Sequence, residues 1–347
     1  MTSSIVPAVD GRDGSWRRLR FLNQSLAAFF NLFEPLFRLG QRWLGISRLG
    51  WLFVAPNLLV FGLFTFLPIL INFVYAATGG VKLMPFDRPF TGTENFGILF
   101  ECRDYFDIQS CRKDVFWRAI YNTAKFSLIQ VVLMVLLSLA TALVLNRKII
   151  GRGFWRGVFF YPVLLSPVVV ALIWKWLLQN QGVFNAVFAS AGAAPVDWLT
   201  DAGWAFFWTV FVSIWAHMGF YTLILLAGLQ AIPKDMYEAA EMDAASPWRT
   251  LHRITLPLLM PNLIVVLVLA MIRAVQIFDE VFVLTGGGPG SATTFIVQFI
   301  YQTGFAEQIH LYGLAAAASL VLALGLMLLT FVQLKLTRAN DAGQRAR

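Results

Sequence analysis

The sequence predicts an all-α integral membrane protein of about six transmembrane helices, preceded by an amphipathic helix in the membrane interface. Three observations lead there. Of 347 residues, 58% are hydrophobic and only 13% charged, about half the charged share of a soluble domain, so part of the surface must face lipid. Six stretches reach the roughly 20 apolar residues needed to cross the hydrocarbon core. Lys and Arg are divided very unevenly among the connections between them.

Residues 1–48 form a polar-to-amphipathic N-terminal segment. Arg12, Arg17, Arg18 and Arg20 precede a stretch interrupted by Asn31, Glu34 and Arg38, and no small-residue cleavage site follows, so no cleavable signal peptide is read there. Within 21–46, Leu26, Phe29, Phe30, Phe33, Phe37 and Leu44 recur at helical spacing, while Asn31, Glu34, Arg38, Gln41 and Arg42 mark another face. That pattern suits a helix lying in the interface, anchored by Trp43 and the arginines. A seventh span would put Glu34, Pro35 and Arg38 in mid-membrane.

The transmembrane domain is 49–335. Its spans are read as 51–77, 123–145, 157–178, 204–229, 259–283 and 312–334, all rich in Leu, Val, Phe and Ala. No strand-like alternation competes over that length, and a helix satisfies its own backbone inside lipid. A polar tail, 336–347, closes the chain. Six spans place both termini on one side. Of the 27 Lys and Arg, 18 fall in 1–48, 146–156, 231–257 and the tail from Lys335. The loop 79–118 holds six more, balanced by six acids, and the loops 179–203 and 285–311 hold none. Basic residues gather in cytoplasmic connections, so both termini and 231–257 are expected in the cytoplasm. The net charge of +8 is therefore read as topology, not as a nucleic-acid surface.

The segment 231–257 is too apolar for a passive connector, with Met236, Tyr237, Ala239, Ala240 and Met242. Pro233 suits a first helical turn, with Asp235 near the positive helix end. Ser246-Pro247 reads as an N-cap and a restart, giving two short helices, and Pro257 helps set the course of the next span. Either this surface packs on the protein's own helix ends or it receives a partner.

The segment resembles the EAA loop of binding-protein-dependent ABC importer permeases. Glu238, Ala239 and Ala240 match that motif, Asp243 matches an Asp of the sugar-type members, and Ile254, Leu256 and Pro257 close it at the family spacing. Ala244 stands where the family has Gly, which alanine replaces freely only if the turn does not need a positive φ. The resemblance covers roughly 49–335 and leaves out 1–48 and an insertion around 101–113. Gln276 to Asp279, Leu284 to Pro289, Thr294, Tyr301 to Phe305, Asn146 to Arg156, Pro162, Ser166-Pro167 and Trp174 to Trp176 look like the maltose and glycerol-phosphate group. It implies a transport subunit without bond chemistry of its own, in a bacterial inner membrane. Implied partners are two cytoplasmic ATPase subunits using ATP and Mg, a second homologous permease in a heterodimer, and an external solute-binding protein. The implied cargo is a sugar or sugar-like solute, and the loop would transmit ATPase closure.

Gly286 to Ser291 lacks the Lys-Ser/Thr of a phosphate loop and reads as a tight external turn. Cys102 and Cys111 lie in an external loop, where a disulfide would add about 2–3 kcal/mol by loop entropy; free thiols are the alternative. The histidines, His217, His252 and His310, are too scattered for a metal site. Lys125, Lys175, Asp279 and Glu280 fall near span ends, where long side chains snorkel. Trp215, His217 and Tyr221, with Arg273 and Gln276, offer rings and polar tips suited to a sugar, or serve helix packing. Two other functions compete at this stage. An ion-coupled secondary transporter would show broken helices in two related halves. A membrane-embedded sugar-transferring enzyme would need a carboxylate cluster, for which Asp279-Glu280 is the nearest candidate.

Overall fold

The computed structural model describes residues 46–345 apart from Phe106 and Lys148, so the interfacial helix expected over 21–46 lies almost wholly outside the described residues. Among the described residues the secondary structure is helical, with only isolated bridges joining Thr78 to Phe90 and Cys102 to Cys111. Among the described residues five helices are long and apolar enough to cross a membrane, and a sixth span exists if one bent pair is counted. The chain divides into two compact units, 1–71 and 72–347.

The described part of the first unit is α1 (Ile46–Phe61), a wide π turn at Gly62–Phe66 and the start of α2 (Leu67–Ala76). Pro56 lies inside α1.

In the second unit, a loop containing α3 (Glu94–Phe100) leads to α4 (Asp114–Asn146). At 33 residues, α4 is about 50 Å long at 1.5 Å per residue. It starts nine residues before the expected span, because Phe116 and Ala119 continue the buried stripe of Phe126, Gln130 and Met134 toward the N-terminus. Next to it runs α8 (Ala202–Ala231), whose first turn is capped by Asp201 accepting from the amides of Gly203 and Trp204, each at 2.9 Å. The main core joins these two helices to α11 (Leu256–Val275) through Phe126, Met134, Leu225, Leu259, Val266 and Ala270.

Three expectations need correction. The stretch 157–178 is not one straight span: α5 (Arg152–Phe160) runs through a tight turn to Leu164, and α6 (Pro167–Leu178) with α7 (Val183–Ser190) leaves at 100°. Ser166 is extended at φ −61°, ψ 138°, because the proline ring after it disfavours the helical region. The stretch 259–283 is also divided. Helix α11 ends at Val275, Phe278 leaves the helical region at φ −148°, and α12 (Asp279–Leu284) starts anew. Finally, the second helix of 231–257 is not a separate short helix. α10 (Pro247–Thr250) continues through a π turn at Leu251–Thr255 into α11. In that wide turn the Leu256 amide reaches back to the Leu251 carbonyl, which makes room for Pro257, a residue with no amide of its own.

Beyond α12 come α13 (Ile296–Tyr301) and α14 (Tyr312–Arg345). Both belong to a second core with Leu99, Phe116, Phe299, Leu314 and Ala317.

Candidate functional site

The segment 231–257 carries α9 (Lys234–Met242). One side of α9 is tethered to the bundle. Ala240 is buried, Tyr237 packs against the main core, and the Tyr237 hydroxyl meets Thr255 Oγ1 at 3.3 Å. The other side is open: Glu238, Ala239 and Asp243 are exposed, Met242 is 88% exposed, and Trp248 on α10 is 71% exposed. The apolar residues of this segment thus divide. Tyr237 and Ala240 face inward, and Met236, Ala239 and Met242 face out. Ile254, Leu256 and Pro257 are half-buried on the continuous helix that follows.

α9 ends in a Schellman motif. Ala245 donates to the Ala240 carbonyl at 2.9 Å and Ala244 to the Glu241 carbonyl at 3.0 Å. Ala244 holds the left-handed position at φ +49°. The turn therefore does need a positive φ, and the alanine adopts it. Ser246 then caps α10 by accepting from the Arg249 amide. At the same end of the bundle, the Gln230 amide oxygen, turned toward α5, accepts from Arg156 at 2.8 Å and Arg152 at 3.1 Å.

The second cluster lies within the spans. Arg273 on α11 donates to His217 Nε2 at 2.7 Å and to Glu280 Oε1 at 3.1 Å, and the same carboxylate oxygen lies 3.4 Å from His217 Nε2. His217 Nδ1 sits 2.9 Å from the Ser213 carbonyl, which places the ring hydrogen on Nδ1 and leaves Nε2 to accept from Arg273. Glu280 is 4% exposed and joins α8 to α11 across the helix break. The expectation that it snorkels without partners is thus overturned: the break at 276–278 turns α12 so that Glu280 points inward.

Of the other residues expected to line a path, Trp215 stands edge-on to Trp174 in an aromatic cluster with Phe184, Trp208 and Phe211. The indole N–H groups of Trp174 and Trp208 are buried there without an acceptor. Tyr221 is packed in the main core, and Gln276 is exposed at the break. Lys175 does not snorkel; its Nζ donates to the Val283 carbonyl at 2.9 Å, tying α6 to α12. Lys125 stands 4.5 Å over the Phe206 ring.

Elsewhere, Cys102 and Cys111 are joined by a disulfide, and Arg112 pairs with Glu101 at 2.8 Å beside it. The glycine turn is knitted by Thr294 Oγ1 donating to the Gly287 carbonyl. A side chain at Gly287 would meet Gln298 Nε2 at 2.7 Å. Among the described residues no cluster of His, Cys, Asp and Glu is placed to hold a metal ion.

Comparison with known proteins follows the same lines. Residues 121–341 match the family described as the binding-protein-dependent transport system inner membrane component. The trehalose/maltose transport system permease protein MalF of Thermococcus litoralis is 38% identical over 293 residues, covering 84% of this chain and 94% of that protein. The lactose transport system permease protein LacF of Rhizobium radiobacter is 32% identical, covering 82% and 92%. Among solved structures, a chain of a bacterial ABC transporter involved in import of the acidic polysaccharide alginate superposes with a TM-score of 0.71. It shares 25% identity over 86% of this chain and 99% of that one.

Proposed function

The chain belongs to the binding-protein-dependent transport system inner membrane component family, and from that premise we propose that it carries a sugar or sugar-like solute, driven through residues 231–257. It is a multi-pass permease subunit of an ABC importer, a transport subunit and not an enzyme. Such an importer works with ATPase subunits and a solute-binding protein. In our reading two ATPase subunits bind the ATP and Mg, and they grip the 231–257 loop of this chain, through the open face of α9, and an equivalent loop in a partner permease. A second, homologous permease completes a heterodimer, and both termini lie in the cytoplasm. The excess of Lys and Arg in 1–48, 146–156, 231–257 and the tail supports that orientation.

The observation that carries this reading is the division of α9 into a tethered side and an open one. Tyr237 and Ala240 fasten it to the bundle, while Glu238, Ala239 and Met242 remain free for a helix-in-groove contact. α9 is linked along the chain to the polar cluster. The segment joins α8 directly to the continuous helix Pro247–Val275, and His217 and Arg273 sit on those two helices. His217 lies about 20 Å along α8 from the loop at 1.5 Å per residue. The loop and the His217–Arg273 pair are thus two points on one helical hairpin, and Glu280 meets that pair from beyond the break.

The cluster also bears on the cargo. Only one terminal nitrogen of Arg273 is engaged, and the side chain is 44% exposed. Its remaining N–H groups suit hydroxyl oxygens, while Glu280 balances its charge, which favours an uncharged polyol over an acidic solute. The names of the trehalose/maltose and lactose relatives support the same class.

The test is to replace Glu238 with Lys and Met242 with Asp, and to measure co-purification of the ATPase together with ATP-dependent uptake of labelled disaccharide. Loss of both, with an unchanged thermal unfolding midpoint, is expected. Full retention of both overturns the assignment. Uptake that survives ATP depletion but fails when the ion gradient collapses would instead indicate an ion-coupled carrier.

A further inference from the structure

At the end of the bundle where α2 finishes and α4 and α14 begin, a pocket of about 330 Å³ opens between the loop 79–92, α3, the two residues before α4 and the first turn of α14. Arg88, Arg112 and Lys113 line it, with Asn95, Gly80 and Gly313. No carboxylate is among the lining residues. Glu101, the carboxylate held by Arg112, is exposed, and Asp114 is held by Arg118 at 3.3 Å.

Arg88 is the unusual member. It is 7% exposed, yet no carboxylate lies within ion-pair distance of it among the described residues. Its Nε donates to Thr78 Oγ1, its terminal nitrogens donate to the carbonyls of Lys82 and Thr78, and the rings of Tyr75 and Tyr312 flank it at 5.2 and 5.8 Å. These three bonds leave two of its five N–H groups without an acceptor. Burial pulls its pKa below the ordinary guanidinium value. A buried cation is normally paired, and among the described residues no carboxylate pairs with Arg88.

The surroundings say what kind of anion fits. Asn95 donates to the carbonyls of Ala76 and Thr78, which ties the pocket to the end of a helix long and apolar enough to cross a membrane. Leu83, Met84, Phe86 and Phe90 stand exposed on the same loop, with Phe86 98% exposed. Exposed aromatic and aliphatic groups beside clustered cations form the pattern of a membrane–water interface. We propose that the Arg88–Arg112–Lys113 pocket binds the phosphate of an anionic phospholipid headgroup, with the exposed Leu83–Phe90 side chains resting among that lipid's acyl chains. The planar fork of Arg88 matches phosphate oxygens, and Lys113 adds a point charge at the rim.

Arg88→Gln removes three internal hydrogen bonds and can disorder the loop, so the deciding variant is Arg112→Gln/Lys113→Gln, which leaves the Arg88 bonds in place and gives up only the exposed Arg112–Glu101 pair. The full-length chain in neutral detergent is titrated with short-chain phosphatidylglycerol, short-chain phosphatidylcholine and inorganic phosphate, following intrinsic tryptophan fluorescence and thermal midpoint. We expect phosphatidylglycerol to bind the parent chain better than phosphatidylcholine, and roughly 10- to 100-fold more weakly in the double variant, as the loss of a charge-assisted hydrogen bond to the phosphate implies. Equal binding of the two lipids, or equal phosphatidylglycerol binding by parent and variant, overturns the site. Saturation by inorganic phosphate at the same concentration as the lipid overturns the lipid as its source.

Discussion

Ala245 donates its amide to the carbonyl of Ala240 at 2.9 Å, and the ring closed by that bond holds Ala244 at φ +49°. The left-handed position of a Schellman motif is usually glycine because a Cβ there crowds the next carbonyl, costing about 1–2 kcal/mol. Part of that cost is offset by the lower unfolded-state entropy of alanine. Ala244→Gly is therefore expected to raise stability by about 1 kcal/mol. Ala244→Val should lower it, since a β-branched residue tolerates a positive φ least. Thermal unfolding of the purified chain measures both, and movement of the two variants in the same direction would contradict the turn.

The cluster that spans the helix break should behave as a unit. Removing one partner from a buried ion pair costs about 3–5 kcal/mol when both charges are dry. The Glu280 side chain is 5% exposed but the Arg273 side chain is 44% exposed, so water replaces part of what is lost on the arginine side. We expect Glu280→Gln and Arg273→Met each to cost roughly 1–3 kcal/mol, and the double variant to cost less than their sum by about 1 kcal/mol or more. Additive costs in that double-mutant cycle would mean that the two side chains are neighbours without being energetically coupled.

Much of this architecture is legible in the sequence, for a physical reason. Lipid demands about 20 consecutive apolar residues per crossing, and that demand leaves a trace no tertiary contact can erase. The alanine-for-glycine departure at 244 is visible too, but its sign is not, because only the backbone angle says whether a Cβ is strained. Glu280 was not legible. A charge is judged by its distance from the end of a span, and the span's real end at Val275 is set by the non-helical residues Gln276 to Phe278. Once the chain breaks there, a residue expected at the surface turns inward to meet Arg273 and His217. The break after Ser166 had a local signal in Pro167, outweighed by the continuous hydropathy of 157–178.

The disulfide of the 101–113 loop should be structural and local. Without reductant, neither Cys102 nor Cys111 is expected to react with a maleimide, and after reduction both should. Closing so short a loop contributes about 2–3 kcal/mol through the unfolded chain, and Arg112–Glu101 continues to close the same loop when the bond is cut. Hydrogen exchange should therefore rise in 101–113 on reduction and stay unchanged in 231–257. Labelling of the unreduced protein would show that the cysteines are free thiols.

Gly219 tests how tightly α8 is held against the turn-and-break segment. A Cβ built there would lie 2.3 Å from the Phe159 carbonyl oxygen and 3.0 Å from the Phe160 Cα. Both are backbone atoms, so no side chain can swing aside. The two helices must separate, losing the close approach that small residues allow between helices in a membrane. Overpacking of this kind costs about 1–3 kcal/mol, and Gly219→Ala should lower the unfolding stability by that amount. Gly97 on α3 supplies the contrast, because nothing lies within 4 Å of its would-be Cβ. Gly97→Ala should stabilise by roughly 0.5–1 kcal/mol, the ordinary gain in a helix interior. The consequence reaches beyond stability, because α5 also carries Arg152 and Arg156, whose guanidinium groups grip Gln230 just before the 231–257 segment. Displacing α5 from α8 should loosen that grip. Limited proteolysis of Gly219→Ala is then expected to cut within 231–257 faster than in the parent chain, whereas Gly97→Ala should be cut at the parent rate.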